Sequence, residues 1–144
     1  MEKDRLDLLL EAHKRKKDIG SMAEEDYIEV IYELEKRYGS ASPTDIAKIL
    51  GVTPSSVTNM LKKLEERGMV EYRRYRNPRL TPGGRRLAET IARRHKKLYK
   101  LFKALGIDDE KANIEAELAE HFLSDETIDR LIDAYSRCLG IDLD

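Results

Sequence analysis

Between Gly39 and Gly68 the chain is punctuated so closely that only short helices fit. Gly39-Ser40 stops one apolar-periodic segment, Ser42-Pro43-Thr44-Asp45 starts the next, Gly51 stops that, and Thr53-Pro54-Ser55-Ser56 starts a third that runs to Arg67-Gly68. Proline just inside a start and glycine just past an end follow from the missing proline N–H and from glycine's tolerance of positive φ. The middle segment, with Ile46, Ala47, Ile49 and Leu50, is about two turns long. The third carries Val57, Met60, Leu61 and Leu64 with Thr53 as its N-cap. Two short helices joined by a glycine-containing turn form a helix-turn-helix, whose second helix can enter a DNA major groove.

The flanks complete a larger unit. Upstream, Ser21 to Tyr38 places Tyr27, Ile28, Ile31, Tyr32 and Leu34 at helical spacing, with acidic residues expected in its first turn. Downstream, Met69 to Tyr75 has strand-like composition, Arg76-Asn77-Pro78-Arg79 reads as a turn, and Leu80-Thr81-Pro82 allows a return strand. Helix, helix, helix, hairpin is the order of a winged helix-turn-helix. Its expected DNA-contacting residues are Ser55, Ser56, Thr58 and Asn59 near base edges, Lys62 and Lys63 at phosphates, Arg73, Arg74, Arg76 and Arg79 of the wing on the backbone, and Thr44 and Pro54 with no particular group assigned.

Pro82-Gly83-Gly84 reads as a break, followed by a long helix from Arg85 to Leu105 bearing Leu87, Ile91, Leu98, Leu101, Phe102 and Leu105. An acidic helix, Asp108 to Phe122, and a last helix capped by Ser124-Asp125-Glu126 and carrying Ile128, Leu131, Ile132 and Tyr135 complete the chain. Helices this short bury little alone, so stripes on the long and last helices are expected to meet a second copy in a homodimer. The fold class is mainly α: residues 1–20 an extension, 21–83 an N-terminal winged helix-turn-helix, 84–144 an α-helical dimerisation and metal-binding domain. Met1 to Ile19 reads as a short amphipathic helix with a basic patch, Lys14-Arg15-Lys16-Lys17, and His13 as a surface residue.

Charge divides the same way. Residues 54–86 hold nine Lys and Arg against three Asp and Glu, whereas residues 105–144 hold three against twelve. A basic middle suits phosphate and an acidic end suits divalent cations. No run approaches a membrane span and the charged N-terminus is unlike a signal peptide, so a cytoplasmic protein without a membrane partner is expected. The single cysteine, Cys138, excludes an intrachain disulfide and a cysteine metal cluster.

Two acidic clusters then matter most. On helices, Asp26 and Glu29 share a face at i, i+3, and Glu117, Glu120 and His121 share one at i, i+3, i+4. Four carboxylates brought together repel one another unless cations sit among them. His95, inside the basic run Arg93 to Lys97, reads by itself as a surface residue or phosphate contact, whereas His121 directly follows two helically spaced glutamates.

With these pieces in place the chain resembles the diphtheria toxin repressor and manganese transport regulator family of metal-activated transcription factors. The resemblance runs from about Met22 to Cys138 through Glu25-Asp26-Tyr27-Ile28-Glu29, Thr53-Pro54-Ser55-Ser56-Val57, Tyr75-Arg76, Arg94-His95 and Glu120-His121-Phe122-Leu123-Ser124. It implies that Asp26, Glu117, Glu120 and His121 hold one metal, and that Glu29 and His95, sharing Glu117 and Glu120, hold a second. Carboxylates at positions 26 and 117, where the iron-responsive branch has methionine and cysteine, imply the manganese branch: Mn(II), two per chain, with Fe(II), Co(II), Cd(II) or Zn(II) able to substitute. The implied activity is repression of metal-uptake genes by a homodimer on double-stranded DNA, in the shorter architecture without an SH3-like third domain. Two readings compete. A di-metal hydrolase would need a nucleophile or phosphate loop, and neither is visible, so no enzyme and no small organic substrate are expected. A metal-independent or small-ligand winged-helix regulator would leave the acidic cluster as a solvated face.

Overall fold

The structure is a computed structural model that describes residues 3–18, 20–140 and 143. Its chain divides into two compact units, Met1–Arg85 and Arg86–Asp144. The first contains α1 (Arg5–Asp18), α2 (Gly20–Tyr38), α3 (Pro43–Leu50), α4 (Pro54–Glu66), β1 (Val70–Glu71) and β2 (Arg79–Leu80). The long helix α5 (Pro82–Ala104) starts at its end and leads into the second unit, with α6 (Asp109–Ala119) and α7 (Asp125–Leu139). Among the described residues no helix is long and apolar enough to cross a membrane.

The helix-turn-helix follows its punctuation. Ser42 accepts from the Asp45 N–H at 3.1 Å to cap α3, whose end at Gly51 is left-handed (φ 64) and donates back to the Ala47 carbonyl. Thr53 caps α4 by accepting from the Ser56 N–H at 3.2 Å. Ile28, Ile31 and Leu34 of α2, Ile46 of α3, and Val57, Leu61 and Leu64 of α4 are all buried, with Val70 and Leu80 of the hairpin. One apolar face from each element therefore forms the core of the first unit.

Three expectations are corrected here. First, α2 begins at Gly20 and has no acidic residue in its first turn, so Glu24, Glu25 and Asp26 lie one turn in, where the helix dipole supports a carboxylate less. Second, the wing strands are only two residues each, in the register Val70 to Leu80 and Glu71 to Arg79. The Tyr72 N–H is taken by the Glu65 carboxylate at 2.9 Å, Arg76 N–H bonds the Arg73 carbonyl, and Tyr75 turns left-handed (φ 67), so Tyr72 to Tyr75 forms a looped tip. Arg79 is on β2, opposite Glu71, and not in a turn. Third, Pro82-Gly83-Gly84 is the first turn of α5. Thr81 accepts from the Gly84 N–H at 3.0 Å, as Ser42 and Thr53 do for α3 and α4, and the glycine serves close approach: a Cβ there would meet the Met69 carbonyl oxygen at 2.0 Å.

In the second unit Leu98, Ala116 and Ile128 form the core, flanked by Tyr99, Phe102, Ala119, Leu123 and Ile132. Leu98 and Leu101 are thus buried within the single chain, Leu87 and Phe102 are half-buried, and Leu105, past the end of α5, is exposed. Ser124 caps α7 as expected. The acidic helix is shorter than expected: α6 stops at Ala119, Glu120 is its C-cap, and His121 sits in the following turn. At the N-terminus, Leu6, Leu8, Leu9, Leu10 and His13 on α1 are exposed, while the Arg15, Lys16 and Lys17 side chains of the expected basic patch lie outside the described residues.

Candidate metal centre and DNA-binding surface

On α5, His95 points at α6 and its C-terminal turn. Its Nδ1 lies 3.1 Å from Glu117 Oε2 and 3.3 Å from Glu120 Oε2, while Nε2 is 3.3 Å from Asn113 Oδ1. Asn113 is one turn before Glu117 on α6 and donates to the Asp109 carbonyl, which fixes its amide. Tyr99, one turn along α5, stacks parallel to the imidazole with centroids 6.5 Å apart and donates to Asp109. Across the same unit Arg94 donates to both oxygens of Asp125 at 2.7 and 3.4 Å, holding that carboxyl below its usual range, and Lys97 meets Asp129 at 2.7 Å. α5 is thereby registered against α7, and the His95 ring is aimed.

Glu120 is the group that most requires a cation. It is 1% exposed, and no backbone N–H, Lys or Arg of the described residues meets its oxygens. The imidazoles of His95 and His121 lie 3.3 and 3.8 Å away, and the His121 side chain is itself buried. A carboxylate out of water is costly unless a positive group stands in for its hydration. The neighbouring His95 responds to this: contact with Glu117, then with Glu120, raises its pKa from 6.5 to about 10 against the opposing effect of burial. A proton on Nδ1 stands where a cation would.

His95, Glu117 and Glu120 offer ligand atoms within 4.8 Å of one another. Carboxylate oxygens and imidazoles with no thiolate fit a divalent cation of intermediate hardness, and the residues present therefore fit a metal. In the first unit, Asp26 and Glu29 stand one turn apart on α2, both half-buried. Sequence reasoning placed four of the six expected ligands, Asp26, Glu29, His95 and Glu117, on helices correctly, and ran the acidic helix on through Glu120, which is its C-cap, and His121, which lies in the following turn. It missed Asn113, although its i, i+4 spacing before Glu117 on the same face was visible.

On the DNA side, Thr44, Pro54, Ser55, Ser56, Asn59 and Lys62 are exposed, as are Arg73, Arg74, Arg76 and Arg79. Thr58 is half-buried and donates its hydroxyl to the Pro54 carbonyl at 3.1 Å, so its proton is committed to its own helix. The Ser56 hydroxyl lies 2.9 Å from that of Thr53. Lys63 is exposed along its stem but its ammonium lies 3.0 Å from Glu24 Oε1, a placement no spacing argument anticipated. At the wing tip Tyr75 is 90% exposed with the Arg74 guanidinium over its ring at 5.1 Å.

A winged helix-turn-helix followed by helices carrying a buried carboxylate and imidazole cluster defines a metal-dependent DNA-binding transcriptional repressor. The chain belongs to the iron dependent repressor family: residues 21–77 match its N-terminal DNA binding domain and residues 81–138 its metal binding and dimerisation domain. The HTH-type transcriptional regulator MntR of Lysinibacillus sphaericus is 42% identical over 109 residues, 76% of this chain and 78% of the relative. MntR of Bacillus subtilis is 41% identical over 109 residues, 76% and 77% respectively. Among solved structures, T. acidophilum IdeR matches with a TM-score of 0.67 and 34% identity, covering 82% of this chain and 54% of its own. A manganese-dependent transcriptional repressor in complex with manganese matches with a TM-score of 0.69 and 30% identity, covering 83% and 53%. The chain thus spans about half the length of these solved relatives.

Proposed function

We propose that this chain is a manganese-activated repressor that binds double-stranded operator DNA as a homodimer and turns down metal uptake. The carrying observation is Glu120, a buried carboxylate flanked by the imidazoles of His95 and His121 and standing beside Glu117 across the His95 ring nitrogen. We assign Asp26, Glu117, Glu120 and His121 to one ion, and Glu29 and His95, with Glu117 and Glu120 shared, to a second. Two dications balance the four carboxylates of that set, which would otherwise repel. Relatives named MntR, and a similar structure described as manganese-dependent and in complex with manganese, support manganese. ScaR, also similar at 31% and 30% identity, has been solved with bound Zn2+ and Cd2+, which supports several divalent ions as substitutes. Zinc generally binds such sites more tightly, so selectivity rests on geometry and supply.

When bound, the metal supplies positive charge that makes it favourable to hold the carboxylates together. The protein's share is positioning: Asn113 and Tyr99 orient the His95 ring, Arg94 and Lys97 fix α5 against α7, and α4 with the arginine-rich wing meets DNA. Moving such a two-state equilibrium from mostly off to mostly on takes about 5.5 kcal/mol of differential binding. Leu118, Phe122 and Leu131 are exposed in the single chain, apolar surface that a second copy would cover.

The experiment is fluorescence anisotropy on DNA from upstream of this protein's own gene, at fixed salt, with chelator-stripped and manganese-loaded protein. Tightening of about tenfold or more on loading is expected, and Asp26→Ala or Glu117→Ala should abolish it. Equal binding in both states would overturn the proposal in favour of a metal-independent regulator.

A further inference from the structure

Glu24 is buried, 6% exposed, on a protein surface where glutamate ordinarily faces water. It lies on α2, two residues before Asp26. Its two oxygens take two cations from the end of α4 at once: Lys63 Nζ, in the last turn, is 3.0 Å from Oε1, and Nη1 of Arg67, the C-cap, donates to Oε2 at 2.7 Å. Lys63 and Arg67 are i, i+4, so they present one face at the end of the helix, and the carboxylate bridges them. A buried carboxylate with a cation on each oxygen differs from a solvent-exposed pair, because removing either cation leaves charge where water does not reach. The joint therefore holds the C-terminal end of α4 to the helix that carries Asp26 and Glu29.

We propose that Glu24 is a positioning residue that fixes the recognition helix α4 to the metal-bearing helix α2 through Lys63 and Arg67, and that Lys63 serves this joint instead of the DNA phosphates. The inference rests on the reading above that α4 enters DNA. Lys62 and Lys63 are adjacent and chemically identical, yet they do different work. Lys62 is exposed and no ion pair holds it among the described residues, whereas Lys63 turns back to Glu24. Of these two lysines, Lys62 alone is then available to release a counterion from DNA. A displacement of α2 would be carried to the C-terminal end of α4 through these two ion pairs as well as through the buried Leu61 and Leu64.

The test is operator binding by manganese-loaded full-length protein over a range of salt concentrations, for wild type, Lys62→Ala, Lys63→Ala, Glu24→Gln and the Glu24→Gln/Lys63→Ala double variant. Lys62→Ala should reduce the slope of log affinity against log salt by about 1, the signature of one lost phosphate contact. Lys63→Ala and Glu24→Gln should each weaken binding by about tenfold with the slope unchanged, and the double variant should be no worse than the poorer single one. Manganese affinity measured without DNA should stay within about threefold in both, as expected of residues that are not ligands. A slope lowered by about 1 in Lys63→Ala, or additive losses in the double variant, would overturn the proposal. Wild-type protein without manganese-dependent binding would instead sink the proposed function. The joint is then read from denaturant midpoints of the same variants, where non-additive losses support it and additive losses overturn it.

Discussion

His95 Nδ1 lies 3.1 Å from Glu117 Oε2, close enough that a proton is held between an imidazole and a carboxylate until something displaces it. With Glu120 adding to Glu117, the His95 pKa is raised to about 10, so the metal-free site is protonated at neutral pH. Metal ligands must be deprotonated, so with His95 a ligand, as proposed, manganese has to expel that proton. About one proton should be released per chain on loading, read by calorimetry in two buffers of different protonation enthalpy. A binding enthalpy independent of the buffer would show that His95 is not displaced.

The same proton has a stability consequence with a definite sign. The folded pKa of His95 lies above its ordinary 6.5, so the contribution to the metal-free fold is fully present below 6.5 and is lost as pH rises through about 10. Urea midpoints of stripped wild-type protein should fall across that window, while His95→Gln should show a flatter profile. Parallel profiles for the two proteins would assign the pH dependence to other groups.

Asn113 makes a separate prediction. Its amide oxygen lies 3.3 Å from His95 Nε2, on the side of the ring away from the carboxylates, and orients the imidazole without touching Glu117 or Glu120 through that bond. Partners of this kind are typically worth about 10–100-fold in metal affinity. Asn113→Ala should weaken manganese binding by that factor and leave the thermal midpoint of stripped protein nearly unchanged. A matching loss of stripped-protein stability would mean that Asn113 serves packing more than the ring.

Local rules carried the helix-turn-helix because each of its boundaries is set by one or two residues: Ser42-Pro43, Gly51 and Thr53-Pro54 work through bonds that span three or four positions. Thr81-Pro82 has the same form, yet the two glycines after it suggested a break. Their reason is tertiary, since only the approach of Met69 shows why position 84 lacks a side chain. The wing tip was misread for a similar reason. Tyr72 has strand composition, but its N–H is captured by Glu65 from another element. For the metal cluster, Glu117, Glu120 and His121 were legible from spacing, whereas His95 looked like part of a basic run until α5 aimed it at α6. Glu24 was invisible, because an acidic residue beside two others carries no mark of being buried.

Thr53 caps the recognition helix and is far from the metal ligands in sequence and chemistry. Its hydroxyl accepts from the Ser56 N–H at 3.2 Å, and loss of a cap of this type costs about 1 kcal/mol. Thr53→Ala should lower stability by about that much, read from the urea midpoint. Operator affinity should drop as the first turn of α4 frays, with manganese affinity unchanged. An equal loss of manganese affinity would tie the cap to the proposed metal centre.

Gly84→Ala tests the root of the wing. The helix there has ordinary dihedrals, so alanine carries no backbone penalty and would usually stabilise a helix. Here the added Cβ would lie 2.0 Å from the Met69 carbonyl oxygen, 3.0 Å from its carbon and 3.1 Å from Leu80 Cδ2. The first obstacle is backbone, which cannot rotate away as a flexible side chain can. That carbonyl also accepts the Thr81 N–H at 3.1 Å, so moving it disturbs the strand and the start of α5 together. Overpacking of this kind costs typically about 1–3 kcal/mol, against the roughly 1 kcal/mol that alanine gains over glycine in a helix. The net expectation is a lower thermal midpoint and weaker operator binding through a displaced wing. A raised midpoint would mean that α5 can slide away from Met69, and that the hairpin is not held at its base as tightly as these contacts require.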